Sequence, residues 1–224
     1  MSSIPILILR LEGVLQSWGE HSKWGYRDSA SLPTKSGVIG LLGCALGIPR
    51  EDTRLIDLHR RLKIAIRADR AGIPMVDFHT IRSQYLLDAQ GKLRGNIGEY
   101  STLLSHRTYL QDAYFTIAIT GDDELLHCLV EALNKPKWPI YLGRKSCVPS
   151  RPVYDGLSNK YKSLEQAIQE IPSPETGQMI IETEAVHGDT TIERRDISIG
   201  NRVFRSRSVT RKIIRKEGVK GVSE

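Results

Sequence analysis

Residues 4–11, IPILILRL, are almost continuously apolar, the pattern of a strand buried on both faces. From residue 35 the spacing changes. Val38, Leu41, Leu42, Ala45 and Leu46 fall on one side of a helix over 35–47, with Gly37, Gly40, Gly43, Gly47 and Cys44 almost opposite. DTRLIDLHRRL (52–62) predicts a short second helix capped by Asp52 or Thr53. KIAIRAD (63–69) alternates as a strand, MVDFHTI (75–81) reads as another, and AYFTIAIT (113–120) sets Phe115, Ile117 and Ile119 on one face. Leu125, Leu126, Leu129, Val130 and Leu133 form a helical stripe that Pro136 ends, and WPIYLGRKSC (138–147) reads as a strand or strand edge.

This β-α-β-β-α-β order is the ferredoxin-like pattern, shared with RNA-recognition modules. Two stretches depart from it. Residues 82–111 carry Gly91, Gly95 and Gly98 with many polar groups and no sustained period, and read as an inserted arm or thumb projecting from the sheet. In the C-terminal third, SLEQAIQEI (163–171) opens on a capping box, Ser163 with Gln166. Three β-like stretches follow at 179–187, 192–199 and 203–216, with turns at Gly188-Asp189 and Gly200-Asn201. The expected fold is α+β: a ferredoxin-like domain over 1–155 with the insertion at about 82–111, and a small antiparallel β subdomain over 156–224.

Four glycines on one helix face cost about 0.8–1 kcal/mol each relative to alanine. Their usual gain is proximity, so something approaches that face closely: the chain's own remaining part, a partner subunit or nucleic acid. Thr34 or Ser36 can cap the helix, and Lys35 lies beside its free amides, where an anion is favoured. No Gly-x-x-x-x-Gly-Lys run precedes it, so this is not a Walker loop and a nucleotide hydrolase is a poor reading.

Charge sharpens this picture. Residues 194–220 hold ten Lys/Arg against Asp196 and Glu217, while the rest of the 224-residue chain holds 22 basic and 24 acidic residues. The whole positive excess therefore sits near the C-terminus, where it suits a polyanion, nucleic acid ahead of membrane, or else a solvated basic face. Cys44, Cys128 and Cys147 form no CxxC pair, so neither a disulfide framework nor a zinc site is expected. The apolar runs are too short for a signal peptide or a membrane span, and a cytoplasmic location with no membrane partner is expected.

Five segments carry a family resemblance: LEGVLQSWG (11–19), PTKSGVIGLLGCALGI (33–48), DFHT (77–80), HRTYLQDAYFTIAI (106–119) and YLGRKSC (141–147). In this order the chain resembles the CasD family, the subunit of the type I-E CRISPR surveillance complex (Cascade) that caps the 5′ handle of the guide RNA. The resemblance implies a RAMP-type ferredoxin-like domain whose thumb, here 82–111, wedges between guide RNA and the adjacent backbone subunit. It implies that the C-terminal region helps dock the large PAM-reading subunit. Target DNA would be reached only through the complex.

The candidate RNA-binding residues follow from motif and chemistry together. Tyr141 can stack a base, Gly143 permits a turn or a close phosphate, Arg144 and Lys145 neutralise phosphates, and Ser146 adds a donor. The plain alternative is an ordinary basic turn. Gln16 can read a base edge and Trp18 can stack, unless Trp18 is a core tryptophan. Lys35 and Ser36 stand at the helix start, and Arg82, Arg94 and Arg107 on the arm are placed to line an RNA path. Six histidines raise a second function, a metal-independent endoribonuclease that processes CRISPR precursor RNA. There His79 and His106 would flank the thumb, with Tyr109 and Lys35 as helpers. His59 and His127 read as structural. There are no paired carboxylates and no HxxxH spacing, and the resemblance assigns guide processing to a separate subunit. The expectation is a binding subunit with no catalytic residue, no metal and no cofactor.

Overall fold

The computed structural model describes residues 3–23, 25–87, 91–93, 98–185, 191–199 and 203–216. Its elements run β1 (Ile4–Gln16), β2 (Tyr26–Arg27), α1 (Lys35–Leu46), α2 (Arg54–Arg61), β3 (Lys63–Arg70), β4 (Ile73–Ser83) and β5 (Ser101–Thr120). Then come α3 (Asp123–Asn134), β6 (Tyr154–Tyr161), α4 (Leu164–Glu170), β7 (Gly177–Glu184), β8 (Ile192–Ser198) and β9 (Phe204–Lys216). Nine strands make one sheet in the order β6-β1-β5-β3-β7-β9-β8, and β2 and β4 both pair with β5 off that path. Every pair is antiparallel except β2 with β5.

The double burial expected of residues 4–11 has a concrete cause. Leu7, Leu9 and Leu11 face the core cluster built with α1 and α3, through Val38, Leu42, Leu126 and Leu129. Ile6 and Ile8 face the other side, where Ala167, Ile168 and Ile171 of the α4 region pack on Ala65, Ala118 and Ile181. Arg67 and Arg10 fasten α4 there. Arg67 Nη1 donates to the carbonyls of Ile168 (2.7 Å) and Ile171 (2.8 Å), and Arg10 Nη2 to that of Pro172 (2.8 Å). An RNA-recognition module stacks bases on one open sheet face; on this chain that face lies under α4.

Within the segment 82–111, residues 101–111 are regular strand, while the described residues between 84 and 100 belong to no strand of the sheet. β5 is 20 residues long. Its second half lies between β1 and β3, and its first half runs out to pair with β4 from Ile73↔Gln111 to Ser83↔Ser101. The change of partner falls at Asp112, with φ 53°, opposite Gly72, with φ 77°. A Cβ on Gly72 would lie 2.7 Å from both Ala113 Cβ and Gln111 O, so a glycine is needed where the ribbon leaves the sheet. The arm is thus a two-stranded ribbon. Arg94 and Gly95 of its tip lie outside the described residues.

A second difference concerns 138–147, which forms turns rather than a strand, and the strand beside β1 is β6 instead. β7, β8 and β9 form close to their expected bounds, but the turns proposed at Gly188-Asp189 and Gly200-Asn201 fall outside the described residues. β7 pairs with β3, so these strands continue the same sheet. At α2, Thr53 holds the cap position without a side-chain bond, and Asp52 Oδ1 accepts from Arg54 N at 2.9 Å. At α4, Ser163 accepts from Gln166 N as expected, while Gln166 reaches back to Lys162 N rather than to Ser163. Among the described residues no helix is long and apolar enough to cross a membrane.

Candidate nucleic-acid interface

Four of the motif segments meet at the end of β1, where the arm begins. Ser17 N donates to Leu142 O at 3.1 Å, and Ser17 Oγ to Thr108 O at 3.0 Å. The Arg144 guanidinium sits 4.6 Å from the centre of the Tyr109 ring, and its Nη2 donates to the carbonyls of Arg27 (2.9 Å) and Asp28 (3.2 Å). Gly143 has φ 89°, and a Cβ there would fall 1.7 Å from Ser17 O. No side chain fits at that point, so Gly143 locks the 142–147 turn onto β1.

Several expected site residues prove to be internal supports. Gln16 is fully buried. Its Nε2 donates to Leu11 O and Ala113 O, and its Oε1 accepts from Trp18 Nε1, so it has no edge left for a base. Trp18 is a core residue, 1% exposed, pressed on the α1 glycine face: a Cβ on Gly37 would lie 2.8 Å from its ring. Gly43 receives Leu55 of α2 in the same way, and Gly47 ends the helix with φ 69°. Gly40 alone of the four faces open space.

The anion at the α1 start comes from the chain itself. Lys35 N donates to Asp196 Oδ2 at 2.7 Å, and the buried Lys35 ammonium pairs with Glu184 at 2.7 Å. Thr34, not Ser36, caps the helix by accepting from Gly37 N. The same burial, with Lys35 nearby, pushes the His59 pKa down to about 4.

Four cations of the basic C-terminal segment are likewise spent inside, while Arg195, Arg205, Lys212 and Arg215 stay exposed. Arg194 pairs with Glu20 and Glu182, both at 2.8 Å, Arg207 with Asp196 at 2.7 Å, and Arg211 with Glu182 at 2.9 Å. Lys216 donates to Ile171 O. These cations hold β7, β8 and β9 together and are not a free polyanion surface.

Tyr141, Lys145 and Ser146 remain at the surface beside the arm: Tyr141 is half-buried, and the other two are exposed. The arm itself carries a feature the sequence reading missed. Residues directly opposite in paired strands share a face, and the registers Tyr26↔His106 and Phe78↔His106 set Tyr26, His106 and Phe78 in one row across three strands. Phe78 is 57% exposed and Tyr26 51%, and Val76 and Leu104 extend the same open face. Phe78 and His106 rings lie 5.2 Å apart, and the Arg82 guanidinium lies 4.8 Å from the Tyr100 ring. The alternation Val76-Phe78-Thr80 was visible in MVDFHTI, but alternation alone does not say which face a core will cover.

Arg107 belongs to the other face, opposite Asp77, with its Nε donating to Ser105 Oγ. His79 also lies there, its Nδ1 3.5 Å from Asp77 Oδ2, whereas His106 lies on the aromatic face. The ribbon therefore separates the two histidines required for concerted acid–base cleavage. Of their proposed helpers, Lys35 is buried in an ion pair and Tyr109 lies under Arg144.

A family model described as "CRISPR-associated protein (Cas_Cas5)" matches residues 6–222. The chain is 36% identical over 162 residues to "CRISPR system Cascade subunit CasD" of Escherichia coli (strain K12), covering 67% of this chain and 70% of that protein. Among solved structures, it superposes with a TM-score of 0.70 on a chain of a "CRISPR RNA-guided surveillance complex", 28% identical, over 94% of this chain and 90% of the other. A "Crystal structure of Cas protein" gives the same TM-score at 31% identity, over 94% and 95%. With sheet, arm and C-terminal strands inside one match, the chain belongs to the Cas5/CasD family of CRISPR-associated proteins.

Proposed function

We propose that this protein is a non-catalytic RNA-binding subunit of a type I-E Cascade ribonucleoprotein, holding the 5′ handle of the guide RNA in antiviral defence in the cytoplasm. The observation that carries this is the exposed row Tyr26–His106–Phe78 on the arm, next to the Tyr141–Ser146 turn. Unpaired bases stack on aromatic faces, and cations beside them neutralise the backbone. Arg82 and Lys145 supply charge along this path, with Arg107 on the ribbon's reverse side. Gly143 and Arg144 shape the turn, Gln16 and Trp18 lie buried at the end of β1 behind it, and Lys35 and Ser36 stand at the start of α1, where Lys35 is held by Asp196 and Glu184.

The strand order β6-β1-β5-β3, with helices in both crossovers, supports reading the core as a ferredoxin-like RAMP domain. On this reading residues 1–155 hold RNA, and the arm also meets the backbone subunit. Residues 156–224 face the large PAM-reading subunit, and target DNA is met through the assembled complex. The separation of His79 from His106 supports binding over cleavage.

Photo-crosslinking of labelled guide RNA in the assembled complex tests the reading. Crosslinks are expected on the peptides containing Tyr26, Phe78 and Tyr141; crosslinks confined to the α4 side would refute it. Repeat RNA incubated with the subunit without metal is expected to stay intact. Cleavage that disappears in a His79→Ala, His106→Ala variant would establish the ribonuclease instead.

A further inference from the structure

A cleft of about 490 Å3 opens between α2 and the β8–β9 pair, away from the arm. Its apolar lining is Ile56, Ile197 and Ile199. Arg60 and Arg205 also line it, both exposed, and neither guanidinium makes a hydrogen bond or ion pair among the described residues. Among the described residues no carboxylate lines the cleft. The nearest acidic side chains in sequence are already engaged: Asp57 with Arg61, and Asp196 with Arg207 and the start of α1. His59, 5% exposed, completes the lining with its Nδ1 buried and without a partner. Ser198 adds a hydroxyl.

This combination has a definite complement. Two uncompensated guanidiniums call for negative charge. Three isoleucines call for aliphatic groups of similar size. Among the described residues the only ring in the lining is the His59 imidazole, which at 5% exposed offers no open face to stack a nucleobase, so a nucleotide would lay polar edges on isoleucine. We infer that this cleft docks a segment of a protein partner in which carboxylates alternate with aliphatic side chains, the carboxylates meeting Arg60 and Arg205 and the aliphatic groups meeting the isoleucines. The site is independent of the RNA path and stands whether or not the arm binds RNA.

The test is fluorescence anisotropy on the full chain with three short labelled peptides, alternating Glu-Val, Glu-Ser and Lys-Val. Glu-Val is expected to bind, and the other two to bind at least roughly tenfold more weakly. In an Arg60→Glu, Arg205→Glu variant the preference should invert, with Lys-Val binding and Glu-Val lost. Both arginines are exposed, and circular dichroism checks that the fold is retained. Ile199→Ser should weaken Glu-Val without affecting its charge preference. Equal binding of Glu-Ser, or no binding of Glu-Val to the parent chain, overturns the proposal. A single-stranded RNA that binds the parent better than Glu-Val does and is lost in the charge-reversed variant also overturns it, in favour of a nucleic-acid site.

Discussion

Two glycines carry opposite obligations. Gly143 combines φ 89° with a carbonyl where its Cβ would go, so Gly143→Ala must move the turn off Ser17. A loss of about 1–3 kcal/mol is expected in urea unfolding, with weaker RNA binding because the turn shifts. Gly40 lies on the same chain's helix surface with open space around it, so Gly40→Ala should stabilise by about 0.4–1 kcal/mol. Bulkier Gly40→Leu should leave the fold intact, and any loss of complex assembly would then place a partner on that face. His59 adds a pH signature. Burial holds its pKa near 4 against an ordinary 6.5, so the unfolded chain binds more protons between those values. Stability present above pH 6.5 is therefore lost as pH falls toward 4, by at most about 1.4 kcal/mol per unit from this residue. His59→Gln should flatten that limb of a stability–pH profile. At this scale the sequence was legible where chemistry is local, as with Thr34 or Ser163. Gln16 and Lys35 misled because their partners, Ala113 and Glu184, lie far along the chain.

Among the elements, strands with one buried or two buried faces announced themselves, as β1 did. The outer half of β5 did not. STLLSHRTYLQ mixes polar and apolar residues because exposed Thr102, Leu104 and His106 give way to Thr108, Tyr109 and Leu110, buried in succession on both faces, so no single core face imposes a period. WPIYLGRKSC looked like a strand for the opposite reason: its apolar residues pack as turns under the constraint at Gly143. The ribbon geometry gives a clean excision. Joining Ser83 to Ser101, which are register partners, through an Asn-Gly turn removes residues 84–100 and keeps the hairpin register. The thermal midpoint should stay close to that of the parent, since none of the tip's described residues belongs to the main core cluster. Assembly with the backbone subunit should fall. If the excised chain fails to fold, the arm is part of the core rather than an appendage.

For the whole molecule, net charge was legible but its destination was not. A count places the positive excess in residues 194–220, yet Glu182, 1% exposed, accepts from Arg194, Arg207 and Arg211 at once. Breaking a buried pair by removing one partner costs about 3–5 kcal/mol. Glu182→Gln should therefore appear as a large loss of stability in chemical unfolding, whereas Lys145→Ala should leave stability unchanged.

That contrast isolates the surface proposed to meet RNA. The most direct measurement is guide-RNA affinity of the full chain across several salt concentrations, for the parent, Tyr26→Ala with Phe78→Ala, and Lys145→Ala. Losing the aromatic row should cost about 1–3 kcal/mol for each stacked base and leave the slope of log affinity against log salt unchanged. Losing Lys145 should flatten the slope by about 0.7, as one fewer phosphate of a single strand is neutralised. Parental affinity and parental slope in both variants would contradict the assignment of the arm face and its adjoining turn as the RNA path.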